Sequence, residues 1–199
     1  MALSPDGKSL ALKTDRRLQV VDLATGRPRW VVAAASDPRT LSISGDGRML
    51  VVGGKKTQFG MSVFDKGTGR LIRTIEIDRV PYDATFVRGD KKEDLFSEPE
   101  FNVLLIAYVD GEVVRYLLDE GESERFFHAP MNIHQTDLSP DGRTLAVGGG
   151  KWGQPDYRGG VRLFSVANGE LLWEAAMRGF AYDVAFSPNG KLVAGCNHI

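Results

Sequence analysis

Cysteine, histidine and net charge are all in short supply in this 199-residue sequence. The single cysteine, Cys196, excludes an internal disulfide and any site built from clustered thiolates, and it fits a reducing compartment. With 25 Lys and Arg against 26 Asp and Glu the formal charge is -1 at pH 7, so no global field gathers nucleic acid or anionic membrane. No apolar run reaches the ~18 to 20 residues of a membrane span, and the opening residues, Met1 to Asp6, lack the basic and apolar regions of a signal peptide. The expected setting is cytoplasmic, with neither nucleic acid nor membrane as a partner. Helical periodicity is also missing: no segment keeps it over about ten residues.

Glycine is what the sequence has in plenty. Its 23 residues are scattered rather than clustered, which marks a chain that turns often. The turns repeat. Leu3-Ser4-Pro5-Asp6-Gly7-Lys8-Ser9-Leu10-Ala11 recurs as Leu138-Ser139-Pro140-Asp141-Gly142-Arg143-Thr144-Leu145-Ala146 and as Phe186-Ser187-Pro188-Asn189-Gly190-Lys191-Leu192-Val193-Ala194. A looser copy is Ile43-Ser44-Gly45-Asp46-Gly47-Arg48-Met49-Leu50-Val51, and Phe86 to Asp90 is a degenerate one. Gly7, Gly47, Asp90, Gly142 and Gly190 stand 40, 43, 52 and 48 residues apart. A second turn signal ends in Gly26, Gly69, Gly121 and Gly169, at intervals of 43, 52 and 48. Two independent signals thus keep one period, which defines an internal repeat.

Each repeat holds four short runs of strand composition, a to d. In the second they cover residues 41–44, 49–53, 61–65 and 71–76; in the fourth, 136–139, 144–148, 161–165 and 171–175. Asp-Gly or Asn-Gly between a and b, and Thr-Gly or Asn-Gly between c and d, supply the positive φ of tight antiparallel turns. Four antiparallel strands per ~43-residue unit is the sequence form of a β-propeller blade, so the expected fold is all-β.

The Ser-Pro-Asp-Gly-Lys-x-Leu-Ala core, followed by strands ending Val20-Val21-Asp22 or Val63-Phe64-Asp65, resembles the WD-repeat β-propeller superfamily in its divergent bacterial form, over essentially the whole chain. It departs from that pattern in having neither a Trp-Asp nor a Gly-His dipeptide, so rigidity must come from packing rather than from the polar network of the eukaryotic members. A weaker similarity joins Asp22-x-x-Thr25-Gly26-x-x-x-Trp30 and Ser165-x-x-Asn168-Gly169-x-x-x-Trp173 to the tryptophan-docking motif of pyrroloquinoline-quinone-type propellers.

One propeller domain, residues 1–199, is expected, with blades at about 1–36, 37–78, 79–129 and 130–177 and a partial blade at 178–199. About four and a half blades do not close a ring. The expectation is therefore an incomplete ring or part of a larger propeller, completed by a longer chain or by a second copy.

The resemblance implies that b-to-c and d-to-a loops share one face of the disk. The longer b-to-c loops carry Lys55, Lys56 and Phe59 in the second unit and Lys151, Trp152, Tyr157 and Arg158 in the fourth. Neighbouring d-to-a connections add Arg79 and Tyr82, then His128, Met131 and His134, then Arg178, Phe180 and Tyr182. Aromatic residues and arginine on scaffold loops are where binding energy concentrates, so this is the candidate partner-binding face. The plainer alternative has Phe59, Trp152 and Tyr157 merely covering adjacent loops. Residues 89–100, an insert of mixed charge, read as a solvated loop on the opposite face.

Catalytic signals do not emerge. His128, His134 and Asp137 offer metal-ligand types, but hydrogen-bonded loop histidines account for them more simply. Ser4, Ser139 and Ser187 belong to the repeated turn rather than to a nucleophile elbow, and Asp6, Asp46 and Asp141 are turn formers. Gly148-Gly149-Gly150 does not open a helix and is no phosphate loop. No cofactor, metal or catalytic residue is expected. The reading is a non-catalytic protein-protein interaction scaffold that binds protein partners or other domains of the same polypeptide. The alternatives are a fragment of a quinone-dependent oxidoreductase and a gating domain of a peptidase.

Overall fold

A computed structural model describes residues 1–14, 17–33, 36–56, 60–89, 101–151 and 158–198. Every regular element among them is a β-strand. The first sheet contains β1 (Ala2–Leu3), β2 (Ser9–Lys13), β3 (Arg17–Asp22) and β4 (Pro28–Ala33), paired in sequence order. The second contains β5 (Ser36–Ile43), β6 (Met49–Lys56), β7 (Met61–Asp65) and β8 (Leu71–Ile75), and the third β9 (Pro81–Val87), β10 (Val103–Tyr108), β11 (Glu112–Leu117) and β12 (Glu122–His128). The fourth is β13 (Asn132–Leu138), β14 (Thr144–Gly150), β15 (Arg158–Ser165) and β16 (Leu171–Arg178); the fifth pairs only β17 (Phe180–Phe186) with β18 (Val193–His198). The first four sheets are the four-stranded antiparallel blades of a β-propeller. Two compact units divide the chain: unit 1 is Met1–Leu104 with Leu117–Glu122, and unit 2 is Leu105–Tyr116 with Ser123–Ile199.

The repeated turn is built the same way four times. In the first copy the Ser4 hydroxyl donates to Asp6 Oδ1 at 2.5 Å, the Lys8 N–H donates to the same oxygen at 3.0 Å, and the Ser9 N–H donates to Ser4 Oγ at 2.9 Å. Gly7 takes φ +66°. Ser44 with Asp46, Ser139 with Asp141, and Ser187 with Asn189 repeat these contacts. The motif therefore persists because serine and aspartate satisfy the turn's backbone donors while glycine supplies the left-handed conformation. At Asp6 and Asp141 the serine hydroxyl, seconded by the backbone N–H, holds the carboxyl below its ordinary range.

The c-to-d turns are equally regular. Asp22 Oδ1 accepts from the Ala24 and Thr25 N–H groups, and Asp65 Oδ1 from the Thr68 N–H and hydroxyl. Directly after each turn strand d skips one residue in the pairing register. In sheets one, two and four this places Trp30 opposite Val20, Arg73 opposite Val63 and Trp173 opposite Leu163. Trp30 and Trp173 thus occupy the same structural position.

In the third and fourth sheets strand b is the most buried and d the least. β14 is buried from Leu145 to Gly150, whereas β16 is mostly exposed. In unit 1, Ala11, Leu18, Val20, Leu50, Val52 and Phe64 form a core with Trp30 packed against it; in unit 2, Ala146, Val161, Ala181 and Val184 form another.

The strands of the fourth sheet reach further than their composition predicts. Gly149 and Gly150 pair with Gly160 and Gly159 in the β14–β15 ladder rather than opening the loop. A Cβ on Gly149 would collide with the Asn132 carbonyl, and one on Gly160 with that of Ala175. These glycines permit close backbone approach within a sheet, a role that a Gly-rich run does not advertise.

Candidate functional site

The end of unit 2 where β14 leaves its sheet gathers the best-defined set of candidate residues. A groove of about 510 Å³ is lined there by Pro130, Met131, Gly150, Lys151, Arg162 and Glu174, among others. Arg162 and Glu174 face each other across the β15–β16 ladder, and Arg162 Nε lies 3.0 Å from Glu174 Oε2. Arg162 Nη1 also lies 2.6 Å from Met131 Sδ. The guanidinium is thereby fixed, while Lys151, just beyond β14, is exposed. An ion pair and an exposed cation around a partly apolar groove suit the docking of a polar-rimmed surface.

Beside Gly150 an aromatic trio forms. His134 and Tyr182 are 4.6 Å apart at 70°, and His134 and Phe180 are 6.5 Å apart at 68°. Phe180 is buried, and a Cβ on Gly150 would sit 2.7 Å from its Cδ1, so Phe180 supports the site from beneath rather than presenting itself. Tyr182 is 38% exposed and carries the trio's outer surface. On β13, Asp137 Oδ2 accepts the Phe186 N–H at 2.6 Å. Burial raises the Asp137 carboxyl above its ordinary range against that hydrogen bond, with the Asp183 charge adding to the rise.

Unit 1 holds the remaining described candidates. Tyr82, on β9 and half-buried, has the Arg39 guanidinium 4.5 Å above its ring, a cation–π contact. Arg79 Nε lies 3.4 Å from Asp78 Oδ1. Lys55 and Lys56 end β6, and Arg158 begins β15. Phe59, Trp152 and Tyr157 lie outside the described residues, as does nearly all of the 89–100 insert. Most candidates expected on loops therefore stand on strand ends, a stiffer mount.

Of the histidines, the His128 ring Nε2 lies 3.1 Å from the Asp110 carbonyl oxygen, and His134 belongs to the aromatic trio. No group of three or more His, Cys, Asp or Glu able to hold a metal occurs among the described residues. Sequence reasoning missed Arg39, Arg162 and Glu174. Counting back from the c-to-d turn would set Arg162 opposite Trp173, and only the one-residue skip at Leu172 brings Glu174 there instead. Arg39, preceding a buried threonine on another strand, left no signal either.

No protein-family model and no curated protein matches the sequence. Solved structures do match. Hydrazine synthase of Kuenenia stuttgartiensis superposes with a TM-score of 0.78 at 20% identity over 98% of this chain and 53% of its own. The β-propeller domain of Cps50 (Swd1) from Myceliophteria thermophila superposes at 0.71 with 15% identity, over 97% of this chain and 60% of its own. At such identities the likeness establishes the β-propeller fold. The chain spans between half and two thirds of the length of either relative.

Proposed function

We propose that this chain is a non-catalytic protein-interaction module, a portion of a larger propeller or multidomain protein, and that it contacts its partner around the Lys151 groove. The observation that carries this reading is the pairing of exposed Lys151 and Tyr182 with rigidly held Arg162 and Phe180 at one strand end. Preorganised anchors lower the ordering cost of association, and aromatic and cationic side chains around a groove are the usual bearers of interface energy. One of the structural relatives, the Cps50 (Swd1) domain, is likewise a β-propeller domain.

Site-specific photo-crosslinking tests the proposal. Lys151 follows β14 and Arg143 precedes it, so the two stand at opposite ends of one strand. A crosslinker at position 151 should capture one defined protein in the native cell, and a crosslinker at 143 should not. Equal capture from both positions, or none from 151, would remove this surface from consideration.

A further inference from the structure

We propose that the Lys151 groove recognises its partner through a phosphorylated side chain, whose phosphate is held by Lys151 and Arg178; the inference rests on the reading of that groove as the partner contact. It starts from register. Across the β15–β16 ladder Arg162 pairs with Glu174, Gly160 with Ala176 and Arg158 with Arg178. Residues two apart along a strand share a face, so these three levels belong to one side of the sheet. On β14, Gly149 pairs with Gly160 and Gly150 with Gly159, and Lys151 comes next. Basic residues thus stand at one level of three neighbouring strands, roughly 4.8 Å from each strand to the next.

Each level has its own chemistry. At the inner one the Arg162 guanidinium meets the Glu174 carboxylate at 3.0 Å, so its charge is balanced. The middle level, Gly149, Gly160 and Ala176, is almost bare backbone, and Gly160 and Ala176 line the groove of about 510 Å³. The outer level is basic throughout. Lys151 and Arg178 are exposed, and neither forms an ion pair with a carboxylate among the described residues. Like charges directly opposite one another weaken a ladder, and an anion bound across the Arg158–Arg178 level relieves that repulsion. A carboxylate answers one cation. A phosphate monoester carries about -1.5 to -2 charges at pH 7 and three strong acceptor oxygens, which suits several cations at one level. Clustered basic side chains are a recurring means of reading phosphorylated segments. The bare middle level leaves room for the backbone of the segment that bears the phosphate, with Met131 and Pro130 on its other side.

The probe is a Gly-phosphoserine-Gly tripeptide with blocked termini, titrated into protein labelled with nitrogen-15. The Lys151 and Arg178 amide resonances should shift, and affinity should fall by about tenfold or more for Lys151→Gln and for Arg178→Gln. Arg143→Gln, at the other end of β14, should bind as the parent does. Both groove variants should melt no lower than the parent, because the side chains are exposed and each change removes one of the neighbouring like charges. Silent resonances at millimolar peptide would overturn the proposal. So would equal affinity for blocked Gly-Glu-Gly, which makes the groove a reader of acidity alone, or equal affinity for inorganic phosphate, which makes it an ion site that reads no segment. Photo-crosslinking from position 151 separates the two levels of the account. Capture that persists after phosphatase treatment of the lysate would overturn the phosphate and leave the partner surface standing, whereas no capture with or without that treatment would overturn the partner surface itself.

Discussion

The indole of Trp30 seals the joint between the first two sheets by donating to the Lys66 carbonyl at 2.7 Å while its ring lies on Gly69. The ammonium of Lys66, almost fully buried, reaches back to Ser9 Oγ at 3.1 Å. The joint therefore combines an apolar plate with two polar ties. Gly69→Ala should destabilise by roughly 2 kcal/mol, since φ +74° disfavours any L side chain and the new methyl meets the indole. Trp30→Phe, which keeps an aromatic plate but loses the N–H, should cost about 1 kcal/mol. Urea unfolding of the two variants checks both, and an unchanged midpoint for Gly69→Ala contradicts the packing described.

The repeated turn makes its own prediction. The Ser139 hydroxyl ties Asp141 Oδ1 and the Thr144 N–H at once. Ser139→Ala should lower stability by about 1 to 2 kcal/mol, because a backbone donor loses its partner at a mostly buried position. Ser187→Ala, in an exposed copy of the same turn, should cost less. Comparing their thermal midpoints separates the effect of burial from that of sequence.

The pH response distinguishes two kinds of aspartate. At Asp137 burial raises the folded-state pKa, so its contribution to stability is fully present below the unfolded-chain value and is lost as pH rises through the folded value. Asp22 and Asp65 behave oppositely. Hydrogen bonds from Arg29 and Thr68 respectively depress them, so their contribution holds above the unfolded value and is lost as pH falls through the folded one. Asp137→Asn should accordingly raise stability at pH 7 relative to the parent, with the advantage shrinking toward pH 4. Urea midpoints at the two pH values read this directly, and an advantage independent of pH contradicts the assignment.

Lys151 and Tyr182 should be replaceable without structural penalty. Lys151→Ala and Tyr182→Ala are each expected within about 0.5 to 1 kcal/mol of the parent, as for side chains with exposed surface and few buried contacts. Phe180→Ala, which empties a buried position against Gly150, should cost about 3 kcal/mol. Differential scanning calorimetry ranks them. A large loss at Tyr182 would make the aromatic trio a structural prop.

Fold legibility followed from chemistry that the chain repeats. Ser-Pro-Asp-Gly spells out a turn in four consecutive positions, so the strands on either side were readable from the sequence. Strand lengths were not. Gly149, Gly150, Gly159 and Gly160 look like a loop because their function, close approach of backbones, depends on neighbours as distant as Asn132 and Ala175. The candidate face shows the same limit. Tyr182 and Lys151 were visible as unusual residues near strand ends, but the burial of Phe180 depends on Gly150 lacking a side chain. From the sequence Asp137 stands out only as a metal-ligand type near His128 and His134, because the loss of its water depends on tertiary packing.

The central claim is that one antiparallel module has been copied along the chain and folds in the same register each time. Cross-strand Hα–Hα and amide contacts measured by NMR test it most directly. The account predicts Val51 opposite Val63 and Val52 opposite Ser62 in the second sheet, matched by Ala146 opposite Leu163 and Val147 opposite Arg162 in the fourth. Sequential amide contacts of a helix across any of these segments, or a register that differs between the two copies, would contradict it.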